Sequence, residues 1–333
     1  MLNNKEKFLW YFLFSIIGVF TAEVCSWSSP FVLIDPITFI IVWPIYAFHY
    51  FVFVPILLEK KWYKDWRIIY LFGALLGMYE FVITKVYFSP PWGGFFMFMG
   101  VDIISIIWVG FIWHAFFSFV IPFYIMILLF FPVERELAIK WLKRSFYAIA
   151  FAFSIFGVIS PTMDSLIKSG IYYFGLAIMV LLIFIISIIF RLIAFRIGRK
   201  DYKLQDFIVS RRTKTISLAL LIFIYVFYGI TLRTEALPKT PNAYLIPAVI
   251  YGLIILSIIK AKKKSFFRLE GKPLIKEIRI RDLNAYMMRF FLITLIIWMI
   301  SLIARQIFYF ILMLLVYTSP IMFAYVLYRI LKG

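Results

Sequence analysis

Glu80 and His114 are the two residues of this chain best suited to general acid/base work. A carboxyl and an imidazole can each be tuned by burial and neighbours to give or take a proton near neutral pH. Glu23 and Asp102 add two carboxylates that could orient such a pair or stabilise charge beside it. His49, Thr84, Tyr87, Lys85 and Ser118 complete a set of candidate pocket or supporting residues. All of these lie in long apolar stretches, where an ionisable group costs about 2.5–3.5 kcal/mol on insertion scales and so calls for a reason.

Spacing suggests how the central pair meets. Gly73, Gly77, Glu80, Thr84 and Tyr87 recur at intervals of four, three, four and three, which is one stripe of a helix. Gly110, His114 and Ser118 form a second stripe at intervals of four. Small residues on the first stripe permit a close helix approach, and facing stripes would bring Glu80 to His114. Lys85 is five residues beyond Glu80, about 140° around a helix, so a neighbouring helix carrying Glu23 or Asp102 is its expected partner.

Each of these residues has a structural reading beside the chemical one. Glu80 can be protonated glue between helices, and His114 an interhelical donor. His49 lies among Tyr46 and Tyr50. Asp102 can cap the helix that follows it. Lys85 can snorkel to outer headgroups. Asp35 followed by Pro36 reads as an N-cap with proline at the first helical position.

Motifs of soluble enzymes are missing: there is no Walker A loop, dinucleotide fingerprint, HExxH or GxSxG. The paired glutamates and downstream histidine motifs of CAAX-type intramembrane proteases are not reproduced, because Glu80 stands alone and His49 precedes it. With one cysteine, Cys25, and two histidines, no spacing motif for a metal exists, and none is expected. Nothing in the sequence names a cofactor.

The elements that must position these residues follow from composition. The 333 residues are 65% hydrophobic, 21% aromatic and only 15% charged. Soluble domains run at about 45–50% apolar and about 25% charged, so a soluble fold is excluded. The chain reads as an all-α polytopic integral membrane protein. A span needs about 20 mostly apolar residues, which gives a bundle of about ten transmembrane helices, near 8–27, 37–58, 68–88, 101–131, 145–160, 171–195, 216–232, 244–260, 288–304 and 307–329.

Charge orients that bundle. With a cytoplasmic N-terminus, the inner segments hold 29 Lys and Arg and the outer ones 4. This positive-inside bias supports cytoplasmic N- and C-termini. The net charge of +19 is then explained by loops that face anionic lipid headgroups, and nucleic acid is not an expected partner. The loop 260–289 is the largest basic segment and mixes ten basic residues with Phe266, Phe267, Leu274, Ile275, Ile278 and Ile280, as suits the cytoplasmic leaflet. The N-terminal apolar run is expected to be a retained span and not a signal peptide. Trp27, Trp62, Trp66, Trp92 and Trp141 are expected near the interfaces. Scarce Asn and Gln beside abundant Ile and Lys point to a thermophilic prokaryote and its cell membrane.

Residues 95–131 are too long for one span, at about 55 Å if wholly helical. Residues 95–101 are therefore expected at the outer interface or as a re-entrant piece jointed at Gly100, with Pro122 kinking the span beyond. The polar residues divide the chain functionally. Residues 1–131, helices one to four, carry the candidate site. Residues 132–333, helices five to ten, hold only Arg191 within a span and read as scaffold.

Three functions fit this distribution. The first is a membrane-embedded enzyme acting on a lipid or isoprenoid-type substrate, for which the aromatic walls are suited. The second is a transporter coupled to protons or cations through Glu80. The third is a non-catalytic assembly or scaffold subunit. Protein partners are not specified by the sequence.

Overall fold

The computed structural model describes residues 2–133, 135–159, 202–238, 240–261 and 304–332, with short helical pieces between 185 and 197 and between 289 and 303. Helix α1 runs Asn4–Val24, α2 Pro36–Glu59, α3 Trp66–Gly77 and α4 Tyr79–Val82. A two-stranded antiparallel hairpin follows, β1 Met97–Phe98 and β2 Val101–Asp102. Then come α5 Ile103–Phe130, α6 Arg135–Ile159, α7 Arg211–Thr231, α8 Leu245–Lys260 and α9 Arg305–Lys332.

Among the described residues, six helices are long and apolar enough to cross a membrane: α1, α2, α5, α7, Pro241–Lys260 and Gln306–Lys332. Large apolar side chains lie exposed along α7, α8 and α9, among them Phe223, Val226, Leu253, Ile259, Phe310 and Ile321. In water such surfaces would drive association, whereas in hydrocarbon they are the solvent-facing side. The expected spans 171–195 and 288–304, and the loop 260–289, fall almost wholly outside the described residues.

Two sequence expectations change. The span expected at 68–88 is helical only to Val82, is broken at Met78 and ends in a turn where Lys85 takes φ 55°. The excess length of 95–131 is not taken up by a re-entrant helix. Residues 97–102 form the hairpin instead, with Met99 and Gly100 both at positive φ as a two-residue turn of this kind demands. Within α5, Ile106–Val120 is wound as a π-helix. Its wider i→i+5 turns advance less per residue than an α-helix, so the long stretch fits a shorter height. Pro122 stands just where the winding returns to α at Ile121. The Ser118 carbonyl, one turn before it, accepts from the Tyr50 hydroxyl in place of the N–H that proline lacks.

The chain divides into two compact units. The first comprises residues 1–47, 121–209 and 268–313. Its α1 is started by a reciprocal cap in which Asn3 accepts from the Glu6 N–H and Glu6 accepts from the Asn3 N–H. Trp10 is fully buried and meets Phe14, Phe130 and Phe131 edge-on, with Phe207 tilted against it. Trp43 donates to Ser15 at 2.8 Å. Trp27, expected at an interface, is buried and donates to the Phe153 carbonyl at 3.1 Å, so it serves packing. Asp35 caps α2 as its sequence suggests, accepting from the Thr38 N–H and hydroxyl. These bonds, the hydroxyl first, hold its carboxyl below the usual range.

The second unit comprises residues 48–120, 210–267 and 314–333. It contains α3, α4, the hairpin, the π-wound part of α5, α7 and α8. Glu80 and His114 both belong to it.

Candidate functional site

Helix α3 begins at a fixed charge pair. Asp65 caps it by accepting from the Arg67 N–H, and grips the Arg67 guanidinium with both oxygens at 3.0 and 2.8 Å. Its apolar residues then bury nearly the whole helix. Gly73 and Gly77 let the α5 backbone come very close. A Cβ on Gly73 would stand 2.4 Å from the Ala115 carbonyl oxygen, and one on Gly77 2.8 Å from both the Gly110 carbonyl oxygen and the His114 Cβ. Any other residue at these two positions would push the helices apart.

The helix then breaks at Met78, immediately before Glu80. Carbonyls at a break need new donors. Tyr87 supplies the Gly77 carbonyl at 3.0 Å, and the Met78 carbonyl takes the Phe81 N–H at 3.1 Å together with the Tyr251 phenol of α8 at 2.9 Å. Glu80 therefore sits on the short helix α4, pinned at its start by side chains and not by helix continuity. Gly110 makes room for this, since a Cβ there would stand 2.6 Å from both the Tyr87 hydroxyl and the Met78 methyl.

The two stripes meet as their spacing suggests. Glu80 Oε1 lies 2.9 Å from His114 Nε2, and His114 Nδ1 lies 2.6 Å from Ser118 Oγ. The second carboxylate oxygen of Glu80 accepts from the Thr84 hydroxyl. The Tyr79 ring meets His114 edge-on at 5.1 Å, with its hydroxyl 3.5 Å from Nε2. Glu80, His114 and Ser118 are all buried. When Glu80 is ionised, His114 carries its proton on Nε2 and accepts from Ser118 at Nδ1. When Glu80 is neutral, the tautomer reverses. The three residues thus form a hydrogen-bonded carboxyl–imidazole–hydroxyl relay, an arrangement in which a proton can shift without movement of heavy atoms.

Two residues of the region expected to be scaffold reach this neighbourhood. The Tyr225 hydroxyl of α7 and the Tyr251 hydroxyl of α8 are neighbours, and Tyr225 and Tyr87 lie near Glu80. His49 reaches the same phenol pair, with its Nε2 3.0 Å from the Tyr225 hydroxyl. The sequence stripe picks out Tyr87 but not Tyr225 or Tyr251, whose rings look apolar and whose hydroxyls are what this site uses. The pair falls on the inward side of two otherwise lipid-like helices, and that was the available signal.

Lys85 does not snorkel. It is buried and donates to the Leu232 carbonyl just past α7. From the same connection Arg233 donates to the Thr84 carbonyl at 2.8 Å and the Ser89 carbonyl at 3.0 Å, and lies 3.6 Å from Glu235. The turn that follows Glu80 is therefore tied to the α7–α8 connection, just as the break before it is tied to α8.

Asp102 stands apart from this relay. It is fully buried at the start of α5, where its oxygens accept from the N–H groups of Phe95 and Phe96 and from the Ser105 hydroxyl at 2.6 Å. It closes the Trp92–Phe96 loop onto the helix and does not meet Lys85. Glu23 belongs to the first unit. It sits on the π-wound end of α1, Phe20–Val24, and accepts from Tyr46 and Ser28, each at 2.5 Å. Among the described residues, no group of three His, Cys, Asp or Glu side chains is arranged to hold a metal ion.

No solved structure matches this chain. A protein of Archaeoglobus fulgidus described as uncharacterised is 33% identical over 117 residues, a stretch that covers 35% of this chain and 37% of the relative. This chain thus spans little more than a third of that relative's length. An uncharacterised membrane protein family matches residues 12–332, from the first helix to the end of the last, and the chain belongs to that family.

Proposed function

We propose that this protein is a membrane-embedded enzyme acting on a lipid or isoprenoid-type substrate, with Glu80 and His114 as its acid/base pair. The observation that carries this reading is the 2.9 Å contact between a buried carboxyl and a buried imidazole, each held on its far side by a hydroxyl, Thr84 or Ser118. Burying an ionisable pair in a membrane span costs stability, and that cost is the ground for assigning it a function. Tyr79, Thr84 and Tyr87 line it, and His49 with Tyr225 and Tyr251 forms a second polar arm. Glu23 and Asp102 support structure in this reading, with Asp102 fixing the loop before α5.

The protein works in the cell membrane of a thermophilic prokaryote, as a bundle of about ten spans with both termini cytoplasmic. The loop charge bias and the six apolar helices support that topology. The basic loop 260–289 then faces anionic headgroups of the inner leaflet.

The test compares lipid and isoprenoid extracts, by mass spectrometry, from a host making the intact protein, Glu80→Gln or His114→Ala. A species that appears or disappears only with the intact chain supports the enzyme. Identical profiles count against it.

A second reading has one observation in its favour. The helix break at Met78 lies next to the carboxylate, and broken helices beside an ionisable group are how transporters build coupling sites. In that reading Glu80 couples a proton or cation to solute movement. Proteoliposomes that show pH-driven or ion-driven uptake lost in Glu80→Gln would favour it. Indifference of every assay to both Glu80 and His114 would leave a scaffold role.

A further inference from the structure

We propose that Ser118 is the nucleophile of this site and that the substrate is a lipid ester, so that the reaction is acyl transfer. The inference rests on the enzyme reading above. Its basis is the full order of contacts: Ser118 Oγ lies 2.6 Å from His114 Nδ1, and His114 Nε2 lies 2.9 Å from Glu80 Oε1. A hydroxyl on a base, with the base oriented by a third group on its opposite nitrogen, is the arrangement that activates a serine. The use of the two ring nitrogens is the mirror of the serine protease triad, and the chemistry is the same, because either nitrogen can accept while the other donates.

The surroundings fit this role. Ser118 is fully buried in the π-wound part of α5, a winding that is rare and tends to occur at functional sites. Its backbone is held independently of its hydroxyl, because Tyr50 of α2 donates to the Ser118 carbonyl and stacks on Phe119 at 5.4 Å. Glu80 is held by Thr84, so the charged end of the relay is fixed as well. Aromatic side chains are close by, with Tyr79 edge-on to His114 and Phe119, the residue after Ser118, packed on Tyr50 and Phe53. An acyl chain is at home among such walls, and a water-soluble ester is not.

The step balances as follows. Ser118 Oγ attacks the ester carbonyl carbon while its proton passes to His114 Nδ1, and the Glu80 carboxylate stabilises the imidazolium through Nε2–H. The bond from the carbonyl carbon to the leaving alkoxide breaks, and that oxygen takes the proton from Nδ1 and departs as an alcohol. Water, or a second lipid alcohol, then gives its proton to His114 and attacks the acyl-serine. Cleavage of the Ser118 ester returns the proton to Oγ.

The test uses the full-length protein in nanodiscs made from host lipids. A fluorophosphonate probe with an alkyl chain is added, and its adduct is located by peptide mass spectrometry. The same lipid extracts are scored for intact protein, Ser118→Ala, Ser118→Cys and Glu80→Gln. The expected result is an adduct on Ser118 and product formation reduced at least about a hundredfold in Ser118→Ala. Ser118→Cys, which keeps a nucleophile, should still acquire an acyl adduct. Full product formation by Ser118→Ala, with loss in Glu80→Gln, overturns the nucleophile and leaves the acid/base reading standing. An adduct that Ser118→Ala still acquires overturns it too. Identical extracts from all four proteins overturn both.

Discussion

Two buried carboxylates of this chain sit on irregular helical backbone, and their partners differ in kind. Glu23, on the π-wound end of α1, accepts from the Tyr46 phenol and the Ser28 hydroxyl. Glu80, just past the break at Met78, meets an imidazole as well as a hydroxyl. Toward a carboxylate, phenols and alcohols at ordinary pH are donors that hold the charge in place. An imidazole can also take the proton or return it, and it passes the change on to Ser118. Burial and helix distortion are common to both sites and so do not separate one from the other. The chemistry of the partner does.

The largest expected effect separates the two carboxylates directly. Glu80→Gln should lower product formation by at least about a hundredfold, the usual worth of a general acid or base. Glu23→Gln, which keeps size and hydrogen bonding, should stay within a few-fold of the intact protein. Both are read from the rate at which the diagnostic lipid species appears. Equal losses would break the comparison and draw Glu23 into the chemistry.

The partners can be tested next through stability. Tyr46→Phe removes a donor from buried Glu23 and should cost about 1.5 kcal/mol, as for a hydrogen bond to a charged group. Denaturation in mild detergent against rising SDS would measure it, and product formation should not change. Gly77→Ala acts on the other site. Its Cβ would press on the Gly110 carbonyl and the His114 Cβ, each 2.8 Å away, for a cost of about 1–3 kcal/mol. Unlike Tyr46→Phe, it should also reduce product formation, because the side chain displaced is His114.

Much of this was legible in the sequence, for physical reasons. The recurrence of Gly73, Gly77 and Glu80 against Gly110 and His114 is a packing code, since only small residues allow the backbone approach that brings the polar pair together. The Asp35–Pro36 cap is local chemistry and was equally readable. The break at Met78 was not legible. No proline or exposed glycine marks it, and it is held by Tyr87 on the Gly77 carbonyl and by Tyr251 as a second donor to the Met78 carbonyl, from a helix some 170 positions later. The π winding of α5 is likewise invisible to apolar periodicity. Lys85 was misplaced because snorkelling assumes a continuous helix reaching the interface, while the turn at Lys85 carries its ammonium to the Leu232 carbonyl.

The smallest expected effect concerns that long-range tie. Tyr251→Phe keeps the ring and removes only the hydroxyl that donates to the Met78 carbonyl. Interhelical hydrogen bonds in membranes average about 0.6 kcal/mol, so global stability should barely move. The break itself should respond, because the Met78 carbonyl keeps the Phe81 N–H but loses its second donor, and α4 is only four residues long. Amide exchange at Tyr79–Val82 should therefore quicken about threefold, while exchange in α1 around Glu23 stays as it was. If Tyr251 merely fills space between helices, exchange at both carboxylates will be unchanged, and the distinction between a carboxylate pinned from afar and one held by its own neighbourhood fails.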